Sequence, residues 1–328
     1  MIELEEIRIS DNEIHLKNNL VKSAILPQNS KELNRNLKIQ GQVIVEGAVY
    51  GNSIDIGEGE VTFESAVFAN SELHIENDIK GEVFFKKAVA STDTIAAFLS
   101  SGRAIFGSDV NSKVVKLKNC FISGSIFAQE VNLENCIVLG GVFATKQLNM
   151  TSCITGTFHC PSVEIAGINY ILYPACFSVE PMSALPKSEL YNLSLAHLGA
   201  LFKGEKEDVN TGKIKIDIEY DRQYTSLVGE EDSRTVINSY SVSGKILATD
   251  MIDLDKLENH FLIKAGALGS QILKVYSLTK EDGTKSDELT IQNIADFFFK
   301  ILSGEISVQE LSGEISYAEL KRRITGDV

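Results

Sequence analysis

Across the first half of the chain, apolar residues fall at every second position. Val43 and Val45, Ile54 and Ile56, Val131 and Leu133, and Leu148 and Met150 are examples. A period of two predicts β-strands, each with one buried and one outward face. A longer rhythm is laid over it. An apolar-aromatic step recurs in EGAVYGNSIDI at Tyr50 and in ESAVFANSELHI at Phe68. KKAVASTDTI carries Ala90 in the aromatic place. The step returns in SGRAIFGSDV at Phe106, SGSIFAQEVNL at Phe127, LGGVFATKQLNM at Phe143 and TGTFHCPSVEI at Phe158. These seven units are spaced by about 15 to 22 residues and punctuated by Gly47, Gly124, Gly140, Gly141 and Gly156, which suit tight turns.

Three strands of about five residues fit each unit. The unit is then one coil of a three-sided right-handed β-helix, a mainly β solenoid. Coils stacked at about 4.8 Å would make seven units a rod about 35 Å long. No coil can bury its apolar side alone, so the fold requires stacking. The same frame places Cys120, Cys136 and Cys153 in one column, with Asn119 and Asn135 one position earlier. A ladder of small buried side chains is the expected reading. The close Cys or His pairs of a metal site are missing from the sequence, so no metal ligands are assigned. Cys160 and Cys176, nearer the rod's end, are the better candidates for a reactive thiol.

The alternation fades after Ile165. The expected layout is N-terminal strands or a cap over 1–37, a rod over 38–180 and an α+β region over 181–328. Ile2, Leu4, Ile7, Ile9, Ile14 and Leu16 alternate ahead of the polar, turn-like stretch 27–36, as an irregular first coil or a cap. Pro186, Ser188 and Gly204 bracket an expected helix over 186–205. Strands are expected at 212–221 and within 234–248, a short helix in DLDKLENHFLIKAGALG and a strand in QILKVYSLTK. Residues 289–302 carry Ile291, Ile294, Phe297, Phe298, Ile301 and Leu302 at helical spacing. LSGEISVQE and LSGEISYAE then repeat. Their Ser307/Glu310 and Ser316/Glu319 pairs read as capping boxes of two short helices that end the chain.

Charge narrows the partners. A net charge of −14 and a pI near 4.9 oppose binding to nucleic acid or to an anionic membrane surface. MIELEEIRIS is acidic where a signal peptide is basic and then apolar, and no run suits membrane insertion. A cytoplasmic, reducing location and free thiols for the five cysteines are therefore expected. The histidines His15, His74, His159, His197 and His260 lie in no catalytic motif, and neither a nucleophile elbow nor a phosphate loop is present. Glu64, Glu82, Lys86 and Lys87 could share a rod face, as in a β-helix lyase. Val43, Val49, Val61, Val67, Leu73 and Ile79 fall six or twelve apart, as in a hexapeptide-repeat acyltransferase with His74 as general base. That register breaks at Asp55 and is lost after residue 80. No catalytic, cofactor-binding or metal residues are assigned, and no cofactor is expected.

The stretches IQGQVIVEGAVYGNSIDIG, IKGEVFF and ISGSIFAQEVNLENCIVLGGVF resemble the bactofilin family of polymer-forming cytoskeletal proteins. Gly41–Val43–Gly47–Val49 and Gly124–Ile126–Ala128–Val131 carry the closest match, and the likeness covers residues 38–166. The resemblance implies a right-handed β-helix that assembles end to end without nucleotide and localises other proteins. This chain differs in having only five prolines and a long second half with alternating and helical patterns. Its start also lacks the apolar or basic stretch that anchors many family members to membrane. The expectation is a non-enzymatic scaffold that self-associates through rod ends and meets a client protein through its C-terminal region. The alternatives are a capped monomeric adaptor and the acyltransferase.

Overall fold

The computed structural model describes residues 7–26, 35–76 and 79–172. It also describes the segments 182–184, 189–193, 207–208, 213–216, 222–224, 240–247, 291–304, 308–309 and 313–316. Parallel strands stack in three columns, named faces A, B and C in chain order. Face A runs through Asn36–Val45 (its first half), Ile54–Ile56, Glu72–Ile75, Thr94–Phe98 and Val114–Lys118. Face B runs through Val61–Phe63, Glu82–Phe85, Arg103–Phe106 and Cys120–Ile122. Face C runs through Val49–Gly51, Val67–Ala69, Val89–Ser91 and Val110–Asn111. Seven regular coils result, numbered 1 to 7: 36–51, 54–69, 72–91, 94–111, 114–128, 130–144 and 147–159. Together they form a three-sided β-solenoid.

Most residues that turn inward are apolar because the centre is dry, with Ser91 and Thr155 as polar exceptions. Leu37, Ile39, Val43, Val45, Val49, Ile54, Ile56 and Val61 are all fully buried, and their equivalents continue through coil 7. Register brings like over like. Phe63, Phe85 and Phe106 stack face to face inside face B, with ring centroids 4.9 Å apart at each step. Backbone N–H groups of one coil donate to carbonyls of the next, as Val49 to Ala66 (3.0 Å), Val67 to Ala88 (3.1 Å) and Val89 to Asp109 (3.0 Å).

The turn from face A to face B uses a left-handed or related positive-φ residue in every coil. Gly41, Gly59, Gly81 and Gly102 serve coils 1–4, while Asn119, Asn135 and Ser152 serve coils 5–7. Gly59 has φ near 143°, and a Cβ there would be driven into the carbonyl of Gly41 in the coil below. Only glycine fits both demands.

Two of the aromatic steps read from the sequence shift in register. Phe106 lies inside face B, and the outward place on face C in its coil belongs to Asn111. Phe158 pairs with Val142 and points inward, so His159 takes the outward place beside Phe143. Corners absorb different numbers of residues, so aligning on an aromatic letter mixes inner and outer positions.

The stack extends past both ends of the regular coils. Glu13–Val21 pairs in parallel with Asn36–Val45, and Arg8–Ile9 folds back antiparallel onto it. The N-terminal residues thus add one parallel strand to the stack and a short antiparallel return on it. At the other end Ile168–Ile171 pairs with Glu189–Leu193. The helix expected over 186–205 is therefore replaced at 189–193 by a strand, because the open edge of Ile168–Ile171 offers a ready ladder. Tyr240–Leu247 pairs antiparallel with Arg222–Tyr224 at its start, in parallel with Tyr191–Leu193 in its middle, and antiparallel with Val308–Gln309 at its end.

Lys213–Ile216 and Tyr240–Leu247 are strands within the expected ranges. The helix expected at 289–302 is present as Ile291–Ser303 and stops at Gly304, whose φ is 79°. The serine-glycine repeat behaves otherwise. Val308–Gln309 is a strand, and Gly313–Ser316 pairs antiparallel with Lys213–Ile216. Long-range pairing through Ile315 and Ile214 outweighs the local capping signal. The elements expected in DLDKLENHFLIKAGALG and QILKVYSLTK, and most of the turn at 27–36, lie outside the described residues.

Candidate functional site

The solenoid's centre is filled, so its chemistry toward other molecules belongs to the outer faces. Face A is polar outside. Lys38, Asp55 and His74 follow one another along it. Lys38 pairs with Glu13 at 2.9 Å, and the hydrogen bond to that carboxylate holds the lysine pKa above its usual value. His74 Nδ1 stands 4.0 Å from Asp55, with both side chains nearly half exposed. The histidine considered as a general base thus stands on an outer strand face, with Ala96 beside it in the next coil. Further along, the Asn149 amide donates to Asn132 Oδ1 at 2.6 Å.

The cysteines occupy the ladder positions expected of them. Phe121 pairs with Ile137 and Ile137 with Ile154, which sets Cys120, Cys136 and Cys153 one above another, all fully buried. Each thiol donates to the carbonyl two residues back, at 3.3 Å in every case: Lys118, Glu134 and Thr151. Each bond spans the positive-φ residue between them, so cysteine closes the corner. Asn135 adds a side-chain bond to Asn119 at 2.6 Å. Burial, followed by the hydrogen bond with Cys120, pushes the Cys136 thiol well above its usual pKa, and burial does the same to Cys153. Cys160, considered a reactive thiol, is also buried, bonded to the Ser162 carbonyl at 3.2 Å and shifted upward by desolvation. Its burial removes it as a ready nucleophile. Cys176, His197 and His260 lie outside the described residues. Among the described residues, no group of three or more His, Cys, Asp or Glu is placed to hold a metal ion.

Of the charges considered for a lyase face, Glu64 and Lys86 form an exposed ion pair at 2.7 Å. Glu82 instead accepts from Gln292 at 3.2 Å.

That last contact leads to the surface that sequence reasoning missed. The outer side of face B is apolar. Ile105, Phe121, Ile137 and Ile154 point away from the core and are still fully buried. Helix Ile291–Ser303 lies against this flank. Gln292 meets Glu82 in coil 3, Asp296 forms an ion pair with Arg103 in coil 4, and the Arg103 guanidinium sits 5.3 Å from the Phe299 ring centre. Ala295 and Phe298 are buried. Stepping from residue 292 to 296 moves up one coil, so the helix runs lengthwise. Thirteen residues cover about 20 Å, or about four coils. Below the helix the same outward row runs from Phe84 through the polar Thr62 to Ile44 and Leu20, all partly exposed. A signal for this flank was present. Strands Arg103–Phe106 and Cys120–Ile122 each hold three consecutive buried apolar residues, and such runs mark strands covered on both sides.

Face C carries an outward aromatic stripe. Tyr50 and Phe68 are neighbours (5.9 Å between centroids), as are Phe127 and Phe143 (5.2 Å, stacked). Tyr50 and Phe127 are 42% and 43% exposed, enough surface for a partner to cover.

Compared with models of known protein families, with curated proteins and with solved structures, the chain gives no match. Among the described residues, no helix is long and apolar enough to cross a membrane.

Proposed function

We propose that this chain is a non-enzymatic structural scaffold, bactofilin-like in its rod, that localises partner proteins by seating amphipathic helices along the outer side of face B. The carrying observation is the apolar flank, which already holds helix Ile291–Ser303 by Ala295 and Phe298 and clasps it through Arg103 and Asp296. A rigid face that binds one helix lengthwise suits recognition of others by the same spacing of apolar anchors. The partly exposed Phe84, and Ile44 and Leu20 beyond the polar Thr62, give such a partner a first hold.

The rod ends favour a capped scaffold over an open filament. Arg8–Ile9 pairs antiparallel with the start of Glu13–Val21, at Ile14 and His15, and Tyr240–Leu247 mixes parallel and antiparallel pairing. An end that changes strand direction is a poor template for another parallel coil.

The test uses a fluorescent peptide of residues 291–303 and the full chain with Phe298→Asp, which loosens its own helix. Asp296→Ala serves as a milder variant. The peptide should bind both variants better than the wild type, whose flank is occupied, and anisotropy would report it. Equal failure on all three chains would overturn the reading. Electron microscopy of the wild type should show discrete particles, and filaments would restore end-to-end assembly.

A further inference from the structure

The aromatic stripe on face C has a symmetry that the fold does not require. Through coils 1 to 6 its outward residues are Tyr50, Phe68, Ala90, Asn111, Phe127 and Phe143. Coils are evenly spaced, so aromatic rings stand at both ends and small or polar residues in the middle. Reversing the order of these six leaves the aromatic pattern unchanged, and His159 follows outside it in coil 7. A surface that reads the same in both directions is self-complementary under a two-fold axis, as an isologous interface demands.

We propose that two copies of this chain pair through face C as antiparallel rods, with the two-fold axis crossing between coils 3 and 4. Tyr50 of each copy then meets Phe143 of the other, Phe68 meets Phe127, and Ala90 meets Asn111. A parallel pair would match any stripe with itself, whatever its spacing. The antiparallel pair needs the symmetric spacing, and the stripe has it. Offset or edge-to-face ring pairs across the interface each add to the apolar area they cover.

The flanking charges agree. At the corner where face C turns to face A, coil 3 carries Asp93 and coil 4 carries Lys113, both exposed. The axis sets Asp93 of one copy over Lys113 of the other, and the reverse. At the opposite corner it sets exposed Lys87 over Asp109, whose carboxylate also accepts from the Ser125 N–H at 2.8 Å. Opposite charges meet on both edges of the stripe, which fixes register more than it adds affinity.

The surface is modest. Six coils span about 25 Å, and three residues of strand add about 10 Å of width. The footprint of about 250 Å² lies well below the roughly 800 Å² per partner of a standard complex, so the dimer should be weak and populated only toward the upper end of a several-hundred-micromolar range. This proposal stands apart from the helix flank on face B and does not depend on it.

Sedimentation of the full chain from one to several hundred micromolar tests it. A reversible monomer–dimer equilibrium is expected. Phe68→Ser and Phe127→Ser should each raise its dissociation constant at least tenfold, with an unchanged far-ultraviolet dichroism spectrum. Asp93→Lys should weaken the dimer, and adding Lys113→Asp should restore it. A spin label at Glu46→Cys, in a Cys176→Ser background, should give an inter-copy distance of about 25 Å or more, because coil 1 lies far from the axis. A monomer throughout, or a dimer indifferent to Phe68 and Phe127, would overturn the interface. A label distance near the width of one face would overturn the antiparallel arrangement.

Discussion

Coils 1–4 and coils 5–7 build the same cross-section with different chemistry. The first group turns from face A to face B on glycine and fills face B with the rings of Phe63, Phe85 and Phe106. The second turns on Asn119, Asn135 or Ser152, and Cys120, Cys136 and Cys153 follow directly. Where cysteine stands at the start of the face B strand, the inward residue two places on shrinks from phenylalanine to Ile122, Val138 or Thr155. The two solutions divide the work differently. A glycine corner needs no side-chain help, since glycine accepts the backbone angle at little cost. An asparagine corner carries a strained φ of about 50°, and bonds to its neighbours hold it: the thiol to the preceding carbonyl, and the amide to the coil below. A corner can be made permissive, or it can be made strained and then tied.

The sharpest way to break this comparison is at the corners themselves. Gly59→Val should cost about 4 kcal/mol or more, from the forbidden φ together with the clash against the Gly41 carbonyl. Asn135→Gly should cost about 1 kcal/mol, since it relieves strain while losing the bond to Asn119. Urea unfolding of the two variants checks both. Equal losses would mean that the corners are held in the same way.

Next in size is the interior. Phe85→Ala removes the middle ring of the stack and should cost about 3–5 kcal/mol. Cys136→Ala removes a single buried sulfur and its weak bonds to the Glu134 carbonyl and to Cys120, for about 1–2 kcal/mol. Thermal unfolding midpoints should rank them in that order.

Alkali should separate the halves without any mutation. Cys136 and Cys153 are raised above the ordinary thiol value of 9.0 in the folded chain, chiefly by burial. Below that value both states hold the proton and stability is unaffected. Above it the unfolded chain ionises first, so stability is lost as pH rises toward the folded pKa. Unfolding at pH 8 and at pH 10.5 should show this loss in the wild type and a smaller one in Cys136→Ala/Cys153→Ala. The smallest expected effect is at the surface. Lys86→Ala, which breaks the exposed pair with Glu64, should cost no more than about 0.5 kcal/mol at low salt.

Much of this rod was legible in the sequence. Period-two alternation marks the strands because one side of each strand faces a dry core, and unit spacing marks the coil. The cysteine column was readable because Cys120, Cys136 and Cys153 are separated by nearly constant steps. The register of Phe106 and Phe158 was not, because corner lengths differ and only pairing reveals which side a ring faces. Helix Ile291–Ser303 could be read from its own periodicity, but its seat could not. Nearly two hundred residues separate Asp296 from Arg103, and no local rule joins them. Strand Glu189–Leu193 was hidden for a related reason: its partner, not its own residues, decides its conformation.

The hydrogen bonds that join the coils all point along the rod. Squeezed along its length, the rod transmits load through a dense pile of backbone. Stretched between its ends, it concentrates tension on the few bonds of the outermost coil, which peel one after another and not all at once. A laser-trap or cantilever trace should therefore be a low sawtooth, each tooth releasing about one coil of chain. Such a part serves as a strut and not as a tether.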